Sequence, residues 1–166
     1  MTGNAGMDGM RLGTVAGRSL LLLSFSLFWG GLTSYTGFVV RISHDVLNDP
    51  MDGGMITQRV TEVLQMLGAI TVVLMLWNAF MVSRSSKRFG AALATCALVV
   101  GCAIVGLEIA HGHLDAVINV DTAEITNREV FTISHRRYNQ LTTIEWLASL
   151  AYLPITVAAW RQMDEN

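Results

Sequence analysis

The chain has 166 residues, of which 52% are hydrophobic and only 14% are charged, and its mean hydropathy is +0.46. Since soluble domains usually carry about a quarter charged residues, this balance indicates that lipid is the main solvent. The length suits a single domain. A net charge of -2 leaves no broad basic surface to hold a phosphate backbone, so nucleic acid is not expected as a partner.

Four apolar stretches predict an all-α, integral membrane, antiparallel four-helix bundle, because each can cross a hydrocarbon core of about 30 Å. The predicted spans are 19–40, 63–82, 89–110 and 141–160, preceded by a polar N-terminal tail at 1–17. A signal peptide is the alternative for the first stretch, but its apolar region would be shorter. Gly30, Gly31 and Gly37 instead suit close helix packing in a membrane.

Three connections separate the spans. Residues 41–54 have the Asp, Asn, Pro and Gly content of a loop, and SRSSKR at 83–88 is typical of a tight turn. The longer connection at 111–134 contains a T-x-x-E capping box at Thr126 and Glu129, which predicts that the last helix begins near Asn127. Cysteines 96 and 102 lie within one apolar helix and are too far apart along its axis to form a disulfide.

Orientation depends on the placement of Lys and Arg. Arg84, Lys87 and Arg88 lie together in the shortest connection, where the positive-inside rule has most force. We therefore expect this turn and both termini on the cytoplasmic side, with the two longer connections facing outward.

The unusual polar residues concentrate at the outward ends of the helices, which four antiparallel spans bring to one membrane face. Each helix contributes a set at three- or four-residue spacing, which places its members on one stripe. The sets are Arg41 and His44; Gln58, Glu62 and Gln65; Glu108, His111 and Asp115; and His135, Tyr138, Thr142 and Glu145. These four stripes can converge.

Glu145 is the most informative member of this cluster. It lies about 15 Å beyond His135 along the helix and is flanked by Ile144 and Trp146, which places it within the hydrocarbon region. A carboxylate there is costly unless it is protonated, paired or facing a wet cavity. Glu145 is therefore a functional hypothesis in itself.

The cluster has two interpretations. In the first, Arg41, Glu62, Glu108 and Glu145 neutralise one another and hold the bundle together. In the second, the cluster lines an outward-facing pocket for a metal ion, a haem or a small polar molecule. The metal-ligand candidates are then His111, Asp115 and His135, and the ligand-binding candidates are Arg41, Glu62, Gln65, Glu108, Tyr138, Thr142 and Glu145.

Three segments carry a resemblance: FWGGLTSYTGFVV and DGGMITQRVTEVLQMLG in the first half, and SHRRYNQLTTIEWLASLAYL at the start of helix four. They resemble small four-helix membrane proteins that are bacterial relatives of the eukaryotic transmembrane protein associated with cisplatin resistance. They resemble the anthrone oxygenase-like membrane family more distantly. The resemblance singles out Gly30, Gly31 and His135, implies no agreed cofactor, and implies location in a bacterial plasma membrane.

Three functional classes remain open: a binding or transport-related protein, a membrane oxidoreductase or oxygenase, and a structural membrane subunit. The sequence contains no nucleophile elbow, phosphate loop, H-E-x-x-H or C-x-x-C motif, so hydrolases, nucleotide-driven proteins and thiol-redox proteins lack their usual signals. Enzyme status stays open. Transport by a lone four-helix unit would be unusual, so a homo-oligomer or another membrane partner is expected for that class.

Overall fold

The computed structural model describes residues 3–47, 50–119 and 124–165 and is all-α apart from one short β-hairpin. The elements are α1 Gly3–Ser34, continued by a π-helical segment Tyr35–Val39 into α2 Val40–Val46; α3 Pro50–Ser83; α4 Lys87–Asp115; β1 Ile118–Asn119; β2 Glu124–Ile125; and α5 Arg128–Glu165. Within these ranges, four helices are long and apolar enough to cross a membrane. The prediction of four apolar helices of membrane-spanning length is confirmed.

The prediction that 41–54 forms a loop is wrong. Helix α2 continues to Val46, and α3 already begins at Pro50. Proline suits the first helical position because its φ is fixed near the helical value and its missing N–H would have no partner there. Asp45, Gly53 and Gly54 of this segment thus lie in polar helix ends, which composition alone did not distinguish from a loop.

Helix α5 begins at Arg128, close to the predicted start, but its cap differs from the prediction. The side-chain oxygen of Asn127 accepts a hydrogen bond from the Val130 N–H at 3.1 Å. The Thr126 hydroxyl instead donates to the Val117 carbonyl at 3.1 Å, beside the β1–β2 hairpin. Asn is at least as good an N-cap as Thr, so Asn127 can cap the helix while the Thr126 hydroxyl bonds to Val117.

Small residues let α1 and α3 approach closely at one of the predicted positions. A Cβ at Gly31 would lie 2.9 Å from the end of the Leu64 side chain, which would have to shift to admit a larger residue. Nothing described lies within 4 Å of a Cβ built at Gly30 or Gly37. Within this chain, therefore, Gly31 is a packing position and the other two are not.

Helix α4 packs between α3 and α5. A Cβ at Gly101 would lie 3.4 Å from Val72 on α3, and one at Gly106 would lie 3.0 Å from Leu141 on α5. Glycine at these two positions therefore lets α4 pack closely against both neighbouring helices. Cys102, between them, is exposed.

Aromatic rings, rather than small residues, fill the space between α1 and α5. Phe25 stacks on Tyr152 and Trp29 stacks on Trp146, each pair with centroids 6.0 Å apart. The indole N–H of Trp146 donates to the Thr33 hydroxyl at 2.9 Å. The contacts run in opposite order along the two helices and close the bundle.

The same two helices are joined at the end that contains both chain termini, which we call the Asp164 end. Two guanidinium nitrogens of Arg18 bind the two carboxylate oxygens of Asp164, both at 2.8 Å. The guanidinium also lies 5.0 Å from the ring centroid of Trp160. The opposite end, where α3 begins and α4 ends, we call the Asp115 end.

The outward surface of the helices is apolar. Exposed large hydrophobic side chains line it on every long helix, among them Leu23, Leu27, Met66, Ile70, Val73, Phe80, Leu98, Val105, Ile109, Leu147 and Val157. A soluble monomer rarely exposes a continuous apolar surface of this extent. The exterior therefore has the character of a lipid-facing surface.

Replacing Gly90 by Ala will destabilise the fold. A Cβ there would lie 2.6 Å from the Cα of Ser83, which is backbone and cannot swing aside. We expect the free energy of unfolding to fall by about 1–3 kcal/mol, the usual effect of overpacking. The matched control is G30A, which we expect to be neutral or stabilising because its surroundings are open and Ala favours helix. Thermal unfolding in detergent, followed by circular dichroism, compares the two; equal melting temperatures would contradict the packing described for Gly90.

Removing the Asp164 carboxylate will lower stability at neutral pH and leave it unchanged in acid. The hydrogen bonds from Arg18 lower the pKa of Asp164 below its ordinary value of 3.8. A carboxyl group with a lowered folded-state pKa contributes stability above the unfolded value and loses it as pH falls through the folded value. The effect is small and salt-sensitive because the carboxylate is exposed.

The melting temperatures of D164N and wild type should therefore differ at pH 7 and become equal well below pH 3.8. E165Q is the control, since it removes a neighbouring negative charge whose partner, Arg161, lies on the same helix. An undiminished difference in acid would rule out the ionic origin of the Arg18–Asp164 contribution.

Candidate functional site

Helix α5 carries its polar side chains on its inner face. We call this set the α5 stripe; its members alternate in spacing between four and three residues and are Tyr138, Thr142, Glu145, Ser149, Tyr152 and Thr156. Glu145 and Ser149 are 0% exposed, whereas Leu147 and Val157 on the outer side are 53% and 54% exposed. A helix of a soluble protein shows the opposite arrangement. The burial of α5 is therefore inverted, as lipid requires.

Glu145 is the most deeply isolated ionisable group in the described structure. Both of its carboxyl oxygens are buried, and neither has a hydrogen-bond partner among the described residues. Its neighbour Trp146 stacks on Trp29, so aromatic rings of α1 and α5 pack beside it. An ionised, unpaired carboxylate in such surroundings is strongly unfavourable. The site therefore requires either a proton or a bound cation on Glu145.

The interpretation in which the predicted charges neutralise one another is wrong for the described residues. Their ion pairs are Arg18–Asp164, Arg59–Glu62, His111–Asp115 and Arg161–Glu165. None of these joins Arg41 to Glu108 or Glu145, and Arg41 is exposed on α2. Glu62 pairs within its own helix because Arg59 is one turn away.

A small cleft opens between α3, α4 and α5 near the Asp115 end. We call it the cleft; it is lined by Thr61, Glu62, Gln65, Leu107, Glu108, His111 and Tyr138. Its volume is about 10 Å³, room for about one water molecule. Five of the predicted site residues therefore meet here, in a space far smaller than a haem.

His111 brings an unsatisfied nitrogen to the cleft. Its Nε2 is buried and has no hydrogen bond within the described part of the chain. The same atom lies 3.5 Å from a carboxylate oxygen of Asp115, close enough for charge attraction but without hydrogen-bond geometry. Asp115 in turn accepts a hydrogen bond from the Gln58 side chain at 3.2 Å. These residues form the polar rim of the cleft.

Tyr138 links the cleft to the interior. Its side chain lines the cleft together with Thr61 and Gln65 of α3, and its phenol is within electrostatic range of Glu145 and Tyr35. The Oε1 atom of Gln65 is buried and has no hydrogen-bond partner among the described residues. Polar atoms from α3 and α5 therefore lead inward from the cleft.

Tyr35 approaches the same region from the first helix. It begins the π-helical segment, is buried, and its hydroxyl has no hydrogen-bond partner in the ranges described. The wider turn of a π-helix changes the direction of the side chains that follow, and such segments are frequent at functional sites. The sequence analysis assigned Tyr35 no role, because a π segment leaves no simple sequence pattern.

Five predicted site residues lie outside the cleft lining: Arg41, Asp115 and Glu145, described above, and His135 and Thr142. His135 is exposed and stacks on Phe131 with centroids 5.8 Å apart. The Thr142 hydroxyl donates to the Tyr138 carbonyl at 3.0 Å, within its own helix. A wider groove beside His135 is lined by α5 residues alone, which makes it a strip of surface. The side chain of His44 lies outside the described part of the structure.

The predicted metal site has no support from the geometry. Among the described residues there is no group of three or more His, Cys, Asp or Glu side chains that could hold a metal ion. His111 and Asp115 lie together, but His135 does not complete a set with them. The separation follows from the exposed position of His135 on α5.

A buried network that the sequence did not predict lies nearer the Asp164 end. Asn78 donates to the Tyr152 hydroxyl at 2.9 Å and accepts from the Trp160 indole N–H at 2.9 Å. The Tyr152 hydroxyl donates to the carbonyl of Met75 at 3.0 Å. One sequence feature could have indicated this network: a single Asn lies within the apolar run TVVLMLWNAFMV. A side-chain amide in hydrocarbon needs a hydrogen-bond partner inside the protein.

Comparison of the chain with protein-family models, with curated proteins and with solved structures found no match. The resemblance to the two membrane families therefore stays a prediction. Function has to be inferred from the arrangement of Glu145, the cleft and the buried network.

Substitution of Asn78 by Ala will destabilise the protein. It leaves the Trp160 N–H without its acceptor and removes a hydrogen bond to Tyr152, and an unsatisfied buried donor costs about 1–3 kcal/mol. The control is T95A, since the exposed Thr95 hydroxyl bonds only to the Ala91 carbonyl of its own helix. Melting temperatures in detergent should fall for N78A and stay within error for T95A. If N78A melts like wild type, the network contributes no stability.

Proposed function

We propose that this chain is an integral membrane protein of four antiparallel spans that binds a small cation, in the simplest case a proton, at Glu145. Its role is then binding or transport-related. The proposal depends on one observation: a fully buried carboxyl group without a hydrogen-bond partner in the described structure, on a helix of membrane-spanning length. Intramembrane acids of this kind are characteristic of ion and proton pathways.

Chemistry and size favour a small cation over other ligands. The cleft contains the acidic residues Glu62 and Glu108 and no Lys or Arg in its lining. Its volume of about 10 Å³ suits a proton, carried by water, better than an organic molecule. An oxidoreductase with haem or metal at this cluster has less support, because the cleft is small and the described residues offer no metal-holding group.

The apolar exterior supports the lipid bilayer as the surroundings of the chain. We further propose a bacterial plasma membrane with both termini cytoplasmic. The basis is Arg84, Lys87 and Arg88, which lie at the tight turn between α3 and α4. The cleft, at the opposite end of the bundle, then opens to the outside. A homo-oligomer is compatible with the open surroundings of Gly30 and Gly37.

Infrared spectroscopy of the protein in lipid bilayers tests the role of Glu145. We expect a protonated-carboxyl absorption at neutral pH in wild type, because the unpaired buried group must be neutral when no cation is bound. The absorption should disappear in E145Q and persist in E129Q, which removes an exposed carboxyl from the same helix. A wild-type spectrum without this band, in buffer free of metal cations, would rule out Glu145 as the proton-binding group.

A further inference from the structure

Glu145 has a tyrosine on each side of it on the α5 stripe. Tyr138 and Tyr152 each lie seven residues away, about 10 Å along the helix axis, in opposite directions. Tyr138 lies toward the Asp115 end and Tyr152 toward the Asp164 end. The two tyrosines have different surroundings, and this difference indicates from which side Glu145 is reached.

The Tyr152 side is closed by hydrogen bonds and packed rings. The Tyr152 hydroxyl is 3.0 Å from the Met75 carbonyl that it donates to and 2.9 Å from the Asn78 nitrogen that donates to it. Its ring is 1% exposed and stacks on Phe25. The Trp160 indole N–H occupies the remaining Asn78 oxygen, and an indole nitrogen donates but cannot accept a proton. This group is a barrier to water and to proton transfer.

The Tyr138 side is open by comparison. Tyr138 lines the cleft, which has room for about one water molecule and offers that water several polar partners, as a stable water site needs. Two buried atoms there, Gln65 Oε1 and His111 Nε2, have no hydrogen bond to described residues. Neither the cleft nor the groove beside His135 includes Tyr152 in its lining.

We propose that Glu145 exchanges protons with one side of the membrane only, through the cleft, with the Tyr138 hydroxyl as the positioning residue that connects cleft water to the carboxyl group. This inference depends on the proposed function of Glu145. A proton that leaves the carboxyl passes to a water molecule that enters between Glu145 and the Tyr138 hydroxyl, and a proton is released outward toward the cleft. Tyr138 takes up one proton and gives up another, so only Glu145 and the solvent change in charge.

The charged and titratable groups that face this route come from all three helices around the cleft. Glu62 on α3 is already paired with Arg59 at 3.2 Å, and Glu108 and His111 come from α4. These groups surround the entrance to the cleft. Because Glu145 itself is 0% exposed, the connection past Tyr138 sets the exchange rate.

The test is the rate at which the Glu145 carboxyl exchanges hydrogen for deuterium in lipid bilayers, followed by infrared spectroscopy after a switch to D2O. The variants are Y138F and Y152F, which remove the same hydroxyl group from the same helix on either side of Glu145. We expect Y138F to slow exchange by roughly tenfold, below the hundredfold or more typical of a positioned acid–base group, because cleft water still reaches part of the way. Y152F should exchange as fast as wild type, or faster where it loosens the barrier.

Three outcomes would overturn the proposal. Slowing in Y152F but not in Y138F would place the route at the other end, and equal rates in both variants and wild type would exclude a route past either tyrosine. Unchanged exchange in Y138F alongside faster exchange in Y152F would show that the cleft is not the entrance. A wild-type spectrum without the Glu145 carboxyl band would instead refute the proposed function, which distinguishes the two failures.

Discussion

Inside a membrane, every polar group of a helix must be satisfied within the protein, since hydrocarbon supplies no hydrogen bonds. Helix α5 turns Glu145, Ser149, Tyr152 and Thr156 toward the bundle and leaves aliphatic side chains outside, the arrangement that this constraint favours. The Tyr152 hydroxyl is satisfied by Asn78 and the Met75 carbonyl. The Glu145 carboxyl is not satisfied by any described residue. The Ser149 and Thr156 hydroxyls also lack a described partner, but they carry no charge. The contrast between the satisfied Tyr152 and the ionisable, unsatisfied Glu145 therefore separates the structural half of the bundle from its candidate functional half.

The packing of the helices follows the same division. Toward the Asp164 end, the Asn78 network and the Arg18 clasp on Asp164 and Trp160 join α1, α3 and α5 through hydrogen bonds and ring contacts. Toward the Asp115 end, polar side chains meet around the cleft without completing their hydrogen bonds. Buried polar groups without hydrogen bonds destabilise a protein with a low-dielectric interior, so their presence in a native structure calls for a functional explanation. Binding of a proton or small cation is such a reason.

The sequence predicts the helices well because membrane thickness sets a length that apolar runs reveal directly, and the start of α5 is marked by its cap. It also predicts the convergence of Glu62, Gln65, Glu108, His111 and Tyr138, since helical spacing and short turns determine which ends meet. The sequence does not predict side-chain contacts that depend on how the helices pack against one another. Arg41 is exposed instead of pairing with the acids, His135 faces outward, and Thr126 bonds to the hairpin. Asn78 and Tyr35 were missed because their partners lie on other helices.

In a bilayer, we expect α5 to face lipid with its aliphatic side and the bundle interior with its polar stripe. Photolabelling of the unmodified protein in bilayers with a diazirine lipid, with the labelled residues identified by mass spectrometry, distinguishes these two faces. We expect labelling at Leu147, Leu150 and Val157 and protection at Glu145, Ser149 and Thr156, even though carboxyl groups react readily with such reagents. Labelling of Glu145 as strong as that of Leu147, or no labelling of α5 at all, would contradict it.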